Sequence, residues 1–168
     1  MTRKTELAGQ IAVITGAGSG IGAATATLLA ARGAKVHLAD LNADAAEAVA
    51  QQIRQAGGTA EAHAVDVTDP VAVEALAKAV YDAGGRADIL HTNAGIAHAG
   101  NIEATIIEDW QQVIGVNLLG VGYGIQAFAP RMLTQDRPAT IVNTASLAGL
   151  VPAALMAPTA PPSTAWSG

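Results

Sequence analysis

The sequence predicts an α/β fold in which a doubly wound parallel sheet carries helices on both faces. Three observations predict this class: short apolar runs alternate with longer helix-forming segments, glycines end most segments, and the connectors are short. Strands that are apolar on both faces are typical of parallel sheets buried between helices, and right-handed crossovers place those helices on each side. We expect a single domain over residues 1–168, well patterned over 7–150 and incomplete at its C-terminus, with an irregular Pro-rich tail over 157–168.

Each element has its own local signal. The first strand, QIAVITG, is rich in β-branched residues and stops at a glycine, and the helix after it ends at Gly33. Asn42 is the expected N-cap of the second helix, and Asp69 that of the third, with Pro70 in its first turn. Pro130 is expected to kink the long last helix or to end its regular part. The strands are predicted at 10–16, 35–40, 59–67, 87–95 and 139–146, and the helices at 21–34, 42–58, 69–85 and 103–135.

Composition excludes several classes of partner. Of the 168 residues, 51% are apolar and 14% are charged, which predicts little disorder. The 9 Lys and Arg residues are scattered and the net charge is −5, so no nucleic-acid partner is expected. There is no Cys, and therefore no disulfide or thiolate site. Polar residues interrupt each apolar run before it reaches membrane-spanning length, and no signal core follows the first residues. We therefore expect no membrane partner and a cytoplasmic location.

The segment TGAGSGIG, residues 15–22, lies where the first predicted strand meets the first helix. Gly16 can take the sharp turn, Gly20 lets the backbone approach a pyrophosphate, and Gly22 lets the helix pack closely. The helix N-terminus offers free N–H groups and the positive end of its dipole to the phosphates. This placement in a strand–helix–strand unit predicts a dinucleotide site of the Rossmann type. The alternative is a Gly-rich loop that binds no ligand.

Asp40 ends the second predicted strand, 18 residues after Gly22. A carboxylate at that place accepts hydrogen bonds from both hydroxyls of an adenosine ribose, and it would repel a 2′-phosphate. Neither Ser19 nor Leu41, its expected neighbours, supplies a cation. The sequence therefore favours NAD over NADP. The alternative is that Asp40 only caps the helix that begins near Asn42.

Five motifs, in order, resemble those of the short-chain dehydrogenases/reductases. They are TGxxxGIG at 15–22, DV at 66–67, NAG at 93–95, the asparagine of VIGVNLLG at 117, and IVNTAS ending at 146. The resemblance covers essentially residues 7–157. It implies a Rossmann-type fold and an oxidoreductase that transfers a hydride between NAD and a small-molecule alcohol or ketone. It also implies that intact relatives are homodimers or homotetramers.

The resemblance implies a role for each matching residue. Asp66 and Val67 would line the adenine pocket, and Asn93, with the two residues after it, would end the fourth strand against the cofactor. Asn117 would hold a kink in the long helix and a water in a proton relay, and Ser146 would hydrogen-bond the reacting oxygen. Alternatively, the asparagines satisfy buried backbone groups and the serine caps a turn. The implied catalytic residues are Asn117 and Ser146, and the cofactor-binding residues are Gly16, Ser19, Gly20, Ile21, Gly22, Asp40, Leu41, Asp66, Val67, Asn93, Ala94 and Gly95.

The catalytic pair of the resembled family is absent. That family places a tyrosine thirteen residues after the serine and a lysine four residues later. An unperturbed phenol titrates near pH 10, and the lysine's charge brings it towards neutrality. In this sequence the two positions are Thr159 and Ser163. The only tyrosines are Tyr81 and Tyr123, and the last lysine is Lys78, so the chain as written is expected to be inactive.

The tail PTAPPSTAWSG, residues 158–168, suggests a shifted reading frame. With freely chosen third bases, its codons read from the third base onward spell YSASKHGVVG. That reading restores a tyrosine at 159 and a lysine at 163. We hypothesise a one-nucleotide deletion near the codon for Pro158. The alternative is a genuine Pro-rich tail on a truncated protein.

Three functional interpretations stay open: an oxidoreductase whose gene or record is damaged, a non-catalytic NAD-binding module, and a non-functional fragment. No His, Asp and Glu cluster has a spacing typical of metal sites, so no metal is expected. His91 and His98 flank the NAG motif and are expected to be structural or solvent-facing. Loss of C-terminal elements is expected to make the chain marginally stable and to expose apolar residues of the long helix. These residues are Ile114, Leu118, Val121, Ile125 and Phe128.

Overall fold

A computed structural model describes residues 6–147. The strands are β1 (Ile11–Thr15), β2 (Lys35–Asp40), β3 (Thr59–Ala64), β4 (Ile89–Thr92) and β5 (Thr140–Asn143). The helices are α1 (Gly20–Ala31), α2 (Ala43–Gln55), α3 (Pro70–Gly84), α4 (Ile107–Ile114) and α5 (Gly120–Thr134). The five strands form one sheet in the order β3-β2-β1-β4-β5, with every neighbouring pair parallel. The predicted doubly wound α/β architecture is confirmed.

Two apolar cores lie on opposite faces of the sheet. Successive side chains of a strand point to opposite faces. Ile14 and Leu38 therefore pack under α1 and α2, whereas Val13 and Ala39 pack under α3 and α5. Full burial of each large aliphatic side chain contributes about 1.5–3 kcal/mol. The central strands are fixed from both sides, and their carboxyl ends share one edge of the sheet.

The predicted helix signals work as expected at three positions. The Asn42 side-chain oxygen accepts a hydrogen bond of 3.0 Å from the backbone N–H of Ala45. Asp69 accepts one of 2.8 Å from the backbone N–H of Val71, with Pro70 following it. Gly33, just after α1, has a φ of 99°, which is the left-handed conformation that glycine adopts without strain. These residues set the direction in which each helix leaves the sheet edge.

β3 departs from the predicted pattern. It is an edge strand, it ends at Ala64 rather than at residue 67, and most of its residues are partly or fully exposed. The expectation that all strands are apolar on both faces is wrong for β3, because an edge strand is covered less completely than a central one. β4 and β5 are also shorter than predicted, since their flanking residues leave the sheet to form loops at its carboxyl edge.

The long helix predicted over 103–135 is segmented. Residues 102–104 form a 3₁₀ turn, α4 begins only at Ile107, and residues 115–119 form a π-helical turn before α5. In that turn the N–H of Gly120 donates to the carbonyl of Gly115, five residues back. Pro130 lies inside α5 and does not end it, since the helix continues to Thr134. The sequence contains no periodicity that distinguishes a π turn from a continuous helix.

Two of the five residues expected to be exposed on this helix are buried. Phe128 packs into the core with α3, where its ring lies 6.5 Å from that of Tyr81, measured between centroids, and Val121 is also buried. The expectation was wrong for these two residues because the rest of the described chain covers their side chains. Ile114, Leu118 and Ile125 are half-buried.

The segment Ile107–Thr134 is long and apolar enough to cross a membrane by length and composition alone. The expectation that no apolar run reaches this length was therefore wrong. Core helices of folded domains pass the same test, and the buried residues of this segment, such as Val113 and Met132, face inward.

Candidate cofactor-binding site

A cleft of about 500 Å³ opens at the carboxyl edge of the sheet. It lies where the strand order reverses between β1 and β4, the position at which doubly wound sheets bind ligands. Eleven of the twelve residues predicted to bind cofactor line it: Gly16, Ser19, Gly20, Ile21, Asp40, Leu41, Asp66, Val67, Asn93, Ala94 and Gly95. Four lining residues were not predicted, namely Val65, Ile96, Val116 and Thr144.

In the glycine-rich turn, a Cβ atom would have open space at Gly20 but would be too close to its neighbours at Gly16, Gly18 and Gly22. Gly20 begins α1 with a φ of 53°, and a Cβ atom there would meet nothing within 4 Å. Gly22 does not line the cleft, and a side chain on it would collide with the carbonyl of Gly16 and the amide of Asn93. Ser19 precedes α1 in extended conformation and makes no side-chain cap hydrogen bond. The turn therefore packs tightly against the strand ends at Gly22 and leaves its backbone accessible at Gly20.

Asp40 connects the glycine-rich turn to the start of α2. One carboxylate oxygen accepts a hydrogen bond of 2.8 Å from the N–H of Gly18, and the other accepts one of 2.9 Å from the N–H of Asn42. The N-cap of α2 is Asn42 itself, so Asp40 is not the helix cap. Each carboxylate oxygen has a second lone pair for a further donor. No Lys or Arg is among the described residues that line the cleft.

Asn93 joins the end of β4 to the end of β1. Its side-chain amide donates to the carbonyls of Thr15 and Gly16 at 3.0 and 3.3 Å, and its N–H donates to the Thr15 hydroxyl at 3.0 Å. The Thr144 hydroxyl donates to the side-chain oxygen, Oδ1, of Asn93 at 3.1 Å. These bonds hold three strand ends in fixed positions around the cleft.

His91, a buried residue on β4, also belongs to this hydrogen-bond network, through Thr144. Its Nε2 lies 2.9 Å from the Thr144 hydroxyl, and because that hydroxyl donates to Asn93, Nε2–H of His91 is the donor. Burial lowers the pKa of His91. The neutral ring therefore keeps Nδ1 as a buried acceptor, for which the described part of the chain supplies no partner.

Asn117 lies in the π turn and clamps the loop that follows β4. Its side-chain oxygen accepts from the N–H of Ile96 at 2.9 Å, and its amide donates to the Ile96 carbonyl at 2.8 Å. Ile96 lines the cleft, so this clamp shapes one wall of it. Ser146 is exposed, three residues beyond the end of β5.

Within residues 6–147, no tyrosine or lysine lines the cleft. The Tyr81 hydroxyl donates to the side-chain oxygen of Gln135 at 3.2 Å, and burial raises the pKa of Tyr81, which is opposite to what a catalytic tyrosine needs. Lys78 pairs with Asp82 on α3. The predicted positions of the missing pair, Thr159 and Ser163, lie outside the described residues.

A family model for short chain dehydrogenases matches residues 10–159. The chain belongs to the short-chain dehydrogenase family. It is 43% identical over 145 residues to D-threitol dehydrogenase of Mycolicibacterium smegmatis, an alignment that covers 86% of this chain and 55% of the relative. The family resemblance stated from the motifs is confirmed.

Solved structures agree with this assignment. A short chain dehydrogenase/reductase from Burkholderia phymatum, in complex with NAD, is 41% identical with a TM-score of 0.93, covering 95% of this chain and 57% of that one. A metagenomic short-chain oxidoreductase in complex with NADP is 39% identical with a TM-score of 0.89, covering 94% and 71%. The family binds nicotinamide cofactors, and both NAD and NADP occur among the neighbours. The chain spans between 24% and 59% of the length of the curated relatives with which it aligns.

The unpredicted parts of the site come from loops and from strand register. Thr144 follows β5 directly, and this position at a carboxyl strand end was a signal that could have identified it. Ile96 and Val116 depend on how the loop after β4 meets the π turn, which no local pattern encodes. Strand register also brings together one cluster that the sequence analysis did not single out, formed by His37, Glu61 and His63.

Proposed function

We propose that this short-chain dehydrogenase chain binds NAD in the cleft and forms the cofactor-binding part of an oxidoreductase acting on a small alcohol or ketone. The observation that carries the proposal is Asp40, whose carboxylate lies in the cleft with no Lys or Arg beside it among the lining residues. A 2′-phosphate would meet an uncompensated negative charge there, whereas ribose hydroxyls would meet an acceptor. The relative from Mycolicibacterium smegmatis is named as a dehydrogenase of D-threitol, an alcohol, and this supports an alcohol as the substrate class.

The residues along the cleft would divide the dinucleotide between them. The backbone at Gly20 and the N-terminus of α1 would bind the pyrophosphate, because no protein atom lies within 4 Å of the position that a Cβ atom of Gly20 would take. Asp66 and Val67 would form the adenine end, and exposed Leu41 would cover it. Bound there, the cofactor supplies the hydride acceptor or donor of the reaction.

The chain's own residues hold the chemical end of the site. Asn93 fixes the ends of β1 and β4, Asn117 fixes the loop at Ile96, and Ser146 would orient the reacting oxygen. Exchange of the hydroxyl proton needs a base such as the tyrosine of the family's tyrosine and lysine pair. Among the described residues that line the cleft there is no tyrosine and no lysine. The 168-residue chain would therefore bind NAD without turnover.

A non-catalytic NAD-binding module is the second candidate function. It is supported by the absence of tyrosine and lysine among the described residues that line the cleft. A non-functional fragment would neither fold nor bind. Homodimers or homotetramers remain the proposed state of the intact protein, and the cytoplasmic location remains a prediction.

Replacement of Asp40 tests cofactor choice. In Asp40→Asn, an NH₂ group replaces one of the two carboxylate oxygens that accept hydrogen bonds from the N–H groups of Gly18 and Asn42. The negative charge of the carboxylate is also lost. Since a hydrogen bond to a charged group contributes about 1.5–3 kcal/mol, we expect NADH affinity to fall about 10–100-fold. Asp44→Asn, an exposed change in the first turn of α2, is the matched control and should leave affinity unchanged. Titration of NADH fluorescence measures both, and equal affinity in the two variants would disprove the role of Asp40.

Turnover and mass distinguish the two candidate functions. NAD⁺ reduction with small secondary alcohols should be undetectable in a preparation whose intact mass equals that of the 168-residue chain. Turnover by a longer polypeptide would support the oxidoreductase with a damaged gene or record. Sequencing the coding DNA across Pro158 tests the shifted frame, and an unambiguous in-frame reading of residues 158–162 would reject it.

A further inference from the structure

His37, Glu61 and His63 form a compact cluster on one face of the sheet, away from the cofactor cleft. His37 lies on β2, directly opposite Glu61 on β3, and His63 lies two residues further along β3. Side chains two residues apart on a strand share a face. None of the three residues lines the cleft. The cluster therefore needs an explanation other than cofactor binding.

The three side chains bring their metal-ligating atoms together. Nδ1 of His37 lies 2.9 Å from Nε2 of His63, and the two rings stack with their centroids 5.2 Å apart. The Glu61 carboxylate oxygens lie 3.9 Å from Nδ1 of His37 and 4.0 Å from Nε2 of His63. One ligand atom of each residue lies within 4.8 Å of the other two.

Packing alone gives a poor account of this pair of histidines. The His37 side chain is fully buried, and its Nε2 has no hydrogen-bond partner in the described part of the chain. Burial of a polar group without a partner costs about 1–3 kcal/mol in proteins. A valine at this strand position would avoid that cost. Ligation of a metal by Nδ1 would leave Nε2–H without a partner, and the free energy of metal binding would offset the cost of burying it.

We propose that His37, Glu61 and His63 bind Zn²⁺ and thereby fasten the edge strand β3 to β2. Zn²⁺ takes imidazole nitrogens at 2.0–2.1 Å and carboxylate oxygens at 2.0–2.2 Å. In a tetrahedral site two such nitrogens lie about 3.4 Å apart, so the rings need to separate by roughly 0.5 Å. Glu61 is 48% exposed and approaches from the solvent side, which leaves the fourth position to water.

One carboxylate, that of Glu61, and one ammonium group, that of Lys35, lie beside the two imidazole rings. Lys35 pairs with one oxygen of Glu61 at 3.3 Å, and the other oxygen is the one nearer His63. Glu61 can keep its pair with Lys35 and still supply a ligand.

Calorimetric titration of ZnCl₂ into the chelator-treated 168-residue chain at pH 7.5 tests this site. We expect one Zn²⁺ per chain. His63→Gln should weaken binding by more than about 100-fold, since even outer-shell partners of a metal contribute about 10–100-fold. Glu61→Gln, an exposed change, should weaken it at least about tenfold and keeps the test decisive if the first variant does not fold.

The matched control is His98→Gln. His98 lies 3.4 Å from Asp109 and is another half-buried histidine next to a carboxylate, so it reports nonspecific affinity for zinc. This variant should bind Zn²⁺ as tightly as the unmodified chain. Zinc should also raise the melting temperature of the unmodified chain but not that of His63→Gln. The proposal fails if zinc gives no heat, if Glu61→Gln and His63→Gln bind zinc normally, or if His98→Gln loses the site.

Discussion

At Gly22, the lack of a methyl group decides how α1 meets the ends of β1 and β4. A side chain there would press on the carbonyl of Gly16 and on the Asn93 amide that holds the two strands together. The geometry of the nearby cleft follows from this close contact. The close packing predicted for Gly22 agrees with this contact, whereas the approach of a pyrophosphate to Gly20 stays a prediction.

Gly22→Ala should destabilise the chain by about 1–3 kcal/mol and weaken NAD binding, because overpacking forces backbone to move. Gly122→Ala is the matched control. It is another glycine inside a helix, but its added methyl group meets nothing within 4 Å, so it should stabilise the chain by up to about 1 kcal/mol. Urea unfolding of both variants measures the difference. Equal unfolding midpoints for Gly22→Ala and the unmodified chain would contradict the contact.

His91 should make stability depend on pH. Burial lowers its pKa in the folded chain, so its contribution is complete above about pH 6.5 and is lost as the pH falls below that, where the unfolded chain takes up the proton first. His91→Gln keeps an N–H donor for Thr144 and does not titrate. Its free energy of unfolding should fall less between pH 7.5 and pH 5 than that of the unmodified chain.

Urea unfolding at the two pH values measures this difference. His37 and His63, whose pKa values are also lowered by burial, contribute equally to both proteins and cancel in the comparison. Identical pH slopes would show that His91 is not buried as a neutral ring.

At the scale of elements, the π turn at 115–119 is the feature that apolar periodicity could not predict, although the family resemblance implied a kink at Asn117. Apolar residues three and four apart predict a continuous helix with or without an extra residue in one turn. What selects the wide turn is a tertiary contact, the double hydrogen bond between Asn117 and Ile96. The N-caps and the order of the strands, in contrast, follow from local chemistry and were predicted, although β3, β4 and β5 are shorter than the sequence indicated.

Asn117→Ala should loosen the loop after β4. Removal of two hydrogen bonds should lower the free energy of unfolding by about 1–3 kcal/mol and speed amide hydrogen exchange at Ile96. Gln112→Ala, an exposed change on α4, should leave that exchange rate unchanged. Exchange at Ile96 that is equally slow in both variants would show that the clamp does not order the loop.

At the scale of the whole molecule, topology assembles two separate sites from distant segments. The carboxyl ends of β1 to β4 gather the residues predicted to bind cofactor, apart from Gly22, in one cleft. This could be predicted because each of those residues lies at or after the end of its own strand. The cluster of His37, Glu61 and His63 could not, since it depends on the register between β2 and β3, which pairs residues 24 positions apart in the sequence. Its only local signal is the pair Glu61 and His63, two residues apart on a strand.

Calorimetric titration of NAD⁺ and NADP⁺ into the folded 168-residue chain tests the central claim most directly. One NAD⁺ should bind per chain, and NADP⁺ should bind at least about tenfold more weakly, because its 2′-phosphate meets the charge of Asp40. A folded chain that takes up no NAD⁺ at millimolar concentration, or that binds NADP⁺ as tightly as NAD⁺, would contradict the account.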